Sequence, residues 1–292
     1  MPFSYRGVEL SPDGLGAAVH REERDGTGDL WVLDLQRGST SRFTFDPTQH
    51  SMSPVWSPDG RRIFFSRNPG NSWALYEKDS AGVGGETLLF ESKNVSYAIP
   101  LSVSPDGQSL VLDVSNPTTL ADLWTLALSG DRKASPYLQI PFNQGLGQLS
   151  PDGRWMAYTS SESGRNEIYV QSFPSPGTKY QVSTFGATQP RWRGDGKELF
   201  YVQGATYGSG VIPRFMSVNV EAMGNSLRFG IPEALFDSYA ALGDHLAPAY
   251  SYAVSADGKR FLVARQLAAE GSNPGEGPLT VVLNWTAAVK LR

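Results

Sequence analysis

Ser11-Pro12-Asp13-Gly14 returns as Ser57-Pro58-Asp59-Gly60, Ser104-Pro105-Asp106-Gly107 and Ser150-Pro151-Asp152-Gly153, and in altered form as Arg193-Gly194-Asp195-Gly196 and Ser255-Ala256-Asp257-Gly258. The aspartates stand 46, 47, 46, 43 and 62 residues apart. Each tetrapeptide has the chemistry of a tight turn. Proline presets φ at the first central position, aspartate reaches nearby backbone amides, and glycine accepts positive φ. A sustained period of this length marks a repeat architecture in which each unit must stack on its neighbours to bury its apolar faces.

The flanks repeat with the turns. Ahead of them runs an alternating stretch whose apolar positions include Val8 and Leu10, Pro54 and Trp56, Leu101 and Val103, Pro190 and Trp192, and Tyr252 and Val254. Behind them comes a nearly continuous apolar strand, such as Ile63-Phe64-Phe65, Leu110-Val111-Leu112 or Phe261-Leu262-Val263, which must be covered on both faces. A third strand carries a bulky residue at Trp31, Tyr76, Trp124, Tyr169 or Phe215, and a more polar fourth stretch closes most units. This pattern predicts an all-β fold: a six-bladed β-propeller of four-stranded antiparallel blades, with residues 1–292 as a single domain. Little chain precedes the first inner strand near Tyr5, and the last unit offers full strands only at 250–254, 261–266 and 279–285. The sixth blade is therefore expected to be incomplete, and the ring to close by packing of the first blade against the sixth.

Composition agrees with many short strands. The 292 residues include 31 Gly, 20 Pro, 14 Phe, 12 Tyr and 7 Trp. There is no cysteine, which removes disulfides, zinc thiolates and thiol catalysis. A net charge of −4 argues against a broad footprint for nucleic acid or an anionic membrane. No apolar run approaches membrane-spanning length, so no membrane insertion of this segment is expected.

With the Ser-Pro-Asp-Gly turns, the Arg61-Arg62-Ile63-Phe64-Phe65 strand and the Asp29-Leu30-Trp31 and Glu167-Ile168-Tyr169 strands, the chain resembles the TolB-like, WD40-like β-propeller repeat family. The closing Leu279-Thr280-Val281-Val282-Leu283-Asn284-Trp285-Thr286 is similar to the end of propellers appended to bacterial serine/threonine protein kinases. That resemblance implies an extracytoplasmic or periplasmic sensing or interaction module. The sequence has no Gly-rich loop, His-Arg-Asp or Asp-Phe-Gly, so it carries no phosphoryl-transfer machinery.

Catalytic patterns are equally sparse. The histidines are His20, His50 and His245, and His20 lacks the partner that a zinc-protease helix needs. His50, His245 and Asp244 form the one grouping with metal-ligand character, and neither a metal nor a cofactor is expected. No Gly-x-Ser-x-Gly elbow occurs. The turn aspartates read as turn geometry, and Trp31, Trp56, Trp124, Trp155 and Trp192 as wedges between blades.

Because the turns define one face of the disc, the loops entering the inner strands must open on the other, here termed the inlet face. These loops nominate His50, Tyr97, Asn143, Gln144, Gln189, Asp244 and His245 as ligand-binding residues. The inner-strand position two before the first turn residue holds Glu9, Val55, Ser102, Gln148, Arg191 and Ala253, which nominates Gln148 and Arg191, with Glu9, as channel lining. The function expected is noncatalytic binding of a protein partner or a small ligand at the inlet face. The alternative is a propeller enzyme, a lyase or glycosidase, with a metal or acid–base pair at the channel mouth.

Overall fold

The computed structural model describes residues 4–22, 28–46, 50–68, 72–93, 95–115, 120–204, 212–238, 249–264 and 279–283, the last five as backbone. Among the described residues every regular element is a β-strand. The first sheet holds β1 (Ser4–Leu10), β2 (Gly16–Glu22), β3 (Gly28–Asp34) and β4 (Ser39–Arg42) in that order. The second holds β5 (His50–Trp56), β6 (Arg62–Asn68), β7 (Trp73–Asp79) and β8 (Thr87–Ser92). The third holds β9 (Tyr97–Val103), β10 (Ser109–Ser115), β11 (Ala121–Ala127) and β12 (Ala134–Leu138). The fourth holds β13 (Gln144–Leu149), β14 (Trp155–Ser160), β15 (Glu167–Ser172) and β16 (Lys179–Gln181). The fifth holds β17 (Ala187–Trp192), β18 (Glu198–Gln203), β19 (Arg214–Met223) and β20 (Ser226–Phe229), with β21 (Glu233–Asp237) also paired to β19. All pairings are antiparallel, and the five sheets are complete blades.

The expectation of six four-stranded blades is corrected here to five. The sixth turn heads a sheet of three strands among the described residues: β22 (Tyr252–Val254), β23 (Arg260–Ala264) and β24 (Leu279–Leu283). The inner strand β22 neighbours both β17 and β1. At the seam with the first blade, the Val8 amide donates to the Tyr250 carbonyl at 2.9 Å, and Val8, Ala17 and Val19 pack with Ala253, Leu262 and Ala264. Ser4 and Tyr5 pair with Glu22 and Arg21 inside the first blade. No helix of the described residues is long and apolar enough to cross a membrane.

The core follows from the apolar second strands. Ile63, Phe64, Phe65, Leu110, Val111, Leu112, Tyr158, Phe200, Tyr201, Phe261 and Val263 are all buried, as strands covered on both faces require. Of the five wedge tryptophans, Trp155 and Trp192 are buried. Trp31, Trp56 and Trp124 are only half-buried. Trp31 lies under the Arg21 guanidinium at 4.1 Å, and Trp56 donates from Nε1 to the Glu9 carbonyl at 3.4 Å.

The turns explain their own sequence. In five of them the serine hydroxyl donates to Oδ1 of the turn aspartate at 2.5 to 2.6 Å. The same Oδ1 accepts the amide two residues on, and the serine oxygen accepts the amide five residues on, closing the hairpin from inside. In the fifth turn Arg193 replaces serine, and its guanidinium grips Asp195 at 2.7 and 2.9 Å. The turn glycines have φ between +69° and +74°, which only glycine takes without strain.

Hydrogen bonds from Ser11, Ser57, Ser104 and Ser255 hold the carboxyls of Asp13, Asp59, Asp106 and Asp257 below the ordinary range, and the Arg193 guanidinium takes Asp195 down to about 2. A group whose pKa falls on folding lends stability above its unfolded pKa, lost as pH drops through the folded value. The melting temperature is therefore expected to fall mainly between about pH 4 and pH 2. Asp195→Asn should make that fall shallower; a melting temperature flat from pH 4.5 to 2.5 would contradict the turn chemistry.

Candidate functional site at the channel and inlet face

Four inner strands break their ladder at the same place. Gly7, Ser53, Leu146 and Gln189 each stand four residues before the first turn residue, with φ of +66°, +54°, +53° and +59°, and the register slips beside each. Three of the four carry a side chain in the left-handed region, a strained choice that a β-bulge imposes. At three of the four bulges a backbone carbonyl is left to a side chain from another part of the ring. The Leu146 carbonyl accepts the Tyr250 hydroxyl at 2.6 Å, the Gln189 carbonyl accepts the Tyr252 hydroxyl at 2.8 Å, and the Val8 carbonyl accepts Arg191 Nη2 at 3.2 Å.

The centre of the channel is a charged plug. Arg191 Nη2 pairs with Glu9 Oε2 at 2.6 Å across the ring, and the guanidinium lies 3.7 Å from the centre of the Tyr250 ring. Arg191 is 3% exposed, and burial raises the Glu9 carboxyl above its usual value even though Arg191 pulls it down. Around Gly7, Glu9, Val55, Leu101, Arg191 and Tyr250 the free space shrinks to about 20 Å³, room for about one water. On the turn side it widens into a cavity of about 380 Å³, lined among others by Glu9, Gln148, Arg191, Trp192 and Arg260.

The nominated residues divide into groups. Arg191 and Gln148 lie at the channel, but both also tie blades together, Gln148 accepting the Trp192 amide at its Oε1 and the Trp192 indole at its carbonyl, at 2.9 and 3.1 Å. Gln189 is buried, its Oε1 accepting the Ser251 amide and hydroxyl at 2.7 and 2.9 Å. Gln144 is buried and donates to the Phe142 carbonyl. Tyr97 bonds to the buried Asp113, and burial holds its phenol well above the ordinary value. Asn143 is exposed on the inlet face and accepts the Ala121 amide at 3.2 Å. His50 is half-buried at the start of β5. Asp244 and His245 lie outside the described residues, and among the described residues no three His, Asp or Glu side chains are grouped to hold a metal ion.

Two features escaped sequence reasoning. One is a buried acid opening the third strand of a blade. Asp29 accepts the Thr44 hydroxyl at 2.7 Å and pairs with Arg42 at 2.5 Å, while Glu167 accepts the Ser183 hydroxyl and, at 2.8 Å, the Gly186 amide. The signal was present in the Asp29-Leu30-Trp31 and Glu167-Ile168-Tyr169 repeats. The other is a set of exposed aromatic residues on the inlet loops, Phe45, Phe142 and Phe185, which are 64%, 39% and 75% exposed. Phe142 and Phe185 each stand two residues ahead of an inner strand.

No family model matches the chain. Over 165 residues, 54% of the chain, it is 30% identical to the Tol-Pal system protein TolB of Francisella tularensis, and this match covers 36% of that protein. Its fold matches a putative TolB from Agrobacterium tumefaciens with a TM-score of 0.68 at 20% identity, covering 82% of both chains. The chain is a β-propeller similar to TolB. A 118-residue stretch, 38% of this propeller, is also 32% identical to an uncharacterized peptidase, YuxL, of Bacillus subtilis, of which it covers 17%. An oligogalacturonate lyase in complex with manganese shares the fold with a TM-score of 0.61 at 17% identity, covering 97% of this chain and 76% of that one. The matched stretches thus span little more than a third of the TolB relative and less than a fifth of YuxL.

Proposed function

We propose that this TolB-like propeller is a noncatalytic, sensor-type binding module that offers its inlet face to a protein partner. The observation that carries this is the exposure of three aromatic residues, Phe45, Phe142 and Phe185, on loops that connect successive blades. Exposed aromatic rings on a rigid frame are the usual anchors of a protein interface. The polar residues nominated from sequence support the same reading, since Gln144, Gln148 and Gln189 are engaged in holding blades and loops in place. We read the three-stranded sheet as an open sixth blade of a single ring. The same face would serve an extracytoplasmic module carried behind a receptor-like serine/threonine kinase.

The relatives named for the Tol-Pal system suggest the first partner to try. Titration calorimetry with a Pal protein is expected to show binding that Phe142→Ala with Phe185→Ala weakens at least about tenfold, as loss of interface anchors does. Failure of any Pal to bind would remove the Tol-Pal assignment. Binding unaffected by the double substitution would remove the inlet face.

A further inference from the structure

The third blade contains a carboxylate that no cation among the described residues matches. Asp113, on β10, is 0% exposed, and its Oδ1 finds no hydrogen-bond partner among the described residues. Its Oδ2 accepts the Leu146 amide at 3.4 Å. Each element packed on it adds an acid or nothing charged. From β9 the Tyr97 phenol hydrogen-bonds to it, from β11 comes the buried carboxyl of Asp122, and β13 brings only the bulge Gly145-Leu146-Gly147. Tyr250 is close enough for its phenol to feel the charge of Asp113. The bulge is shaped to this side chain, since a Cβ on Gly145 would stand 2.3 Å from Asp113 Oδ2.

An ionised carboxylate buried beside another acid, with one oxygen unbonded, is among the costliest arrangements a core can hold. Burial, with a smaller push from Asp122, moves the Asp113 carboxyl up to about 8. The Leu146 peptide then joins Asp113 to the channel. Its amide donates to Asp113 and its carbonyl accepts Tyr250, which underlies Arg191 and through it Glu9. We propose that Asp113 holds a proton in the resting fold and acts as a pH-sensitive lock, keeping the Leu146 bulge and hence the Tyr250 plug in place. Loss of that proton leaves a bare charge that draws water to the bulge and loosens the plug.

The sign follows from linkage. A carboxyl whose pKa rises on folding lends stability below its unfolded pKa, and this is lost as pH climbs through the folded value. Comparing the full chain with Asp113→Asn by urea melts, the ratio of their unfolding constants is expected to rise about tenfold per pH unit from about pH 5 to 7.5 and to level above about pH 8. The infrared spectrum of the wild type at pH 6.5 should show the carbonyl band of a protonated carboxylic acid that Asp113→Asn lacks. Hydrogen exchange at residues 144–149 and 5–10, corrected for intrinsic rates, should lose protection between pH 6.5 and 9 in the wild type alone. A pH-independent ratio, a missing band, or protection lost equally in both proteins would overturn the lock. If Asp113→Asn does not fold, Asp122→Asn should lose the same infrared band at a lower pH than the wild type; an unmoved midpoint would refute the arrangement. Millimolar calcium that raised the wild-type melting temperature at pH 7 would show a metal ion, not a proton, at Asp113.

Discussion

Arg191→Ala should destabilise the propeller by about 2 to 4 kcal/mol, because it removes a buried guanidinium and strips the half-buried Glu9 carboxylate of its partner. Glu9 then keeps its place at the channel without the guanidinium 2.6 Å away, and Tyr250 loses the cation over its ring. The second substitution Glu9→Gln removes the orphaned charge, so the double variant should regain a large part of the loss. Urea midpoints of the two single variants and the double variant complete the cycle. A loss under about 1 kcal/mol for Arg191→Ala would mean that the plug is wet and the pair solvated.

Trp192→Ala is expected to cost about 3 to 5 kcal/mol, by leaving a cavity between the fourth and fifth blades. The ring packs with Trp155, Leu199 and Val218, and its indole and amide are both bonded to Gln148. Trp56 holds the corresponding place in the second blade but is half-buried beside a groove on the turn face, so Trp56→Ala should cost roughly half as much. Equal losses at the two sites would show that exposure does not govern these wedges.

That difference shows where sequence reading stops. The hairpin turns and the apolar second strands were legible because each rests on local chemistry: a proline, an aspartate and a glycine at fixed offsets, or an unbroken apolar run. The parity of the inner strands was legible only in part. Bulges at Gly7, Ser53, Leu146 and Gln189 reset the alternation, and only the first is announced by a glycine. Tyr250 could not be nominated from sequence, since its role depends on a carbonyl 104 residues away. Asp113 was equally hidden, because an aspartate inside an apolar strand reads as a surface position until the strands on either side are seen to cover it. Charge pairing across the ring, Glu9 with Arg191, likewise comes from blades four units apart in sequence.

The turns have a further consequence. A Cβ on Gly60 would meet Pro12 at 3.8 Å, one on Gly153 would meet Pro105 at 3.2 Å, and one on Gly196 would meet Pro151 at 3.7 Å. Each glycine therefore sits against the proline of the preceding unit, so the two halves of the fit are encoded in different copies of the repeat. A tandem duplication of one unit supplies both halves at once, with no new mutation needed for the junction to mesh. Drift in one copy must then be answered in the next. At the sixth turn that answer is visible: where Gly194 replaces the proline, the Arg193 side chain fills the vacated place, and a Cβ on Gly258 would stand 2.8 Å from its Cδ. At the rim, then, the fit of neighbouring units rests on pairs of residues that belong to successive copies of the repeat.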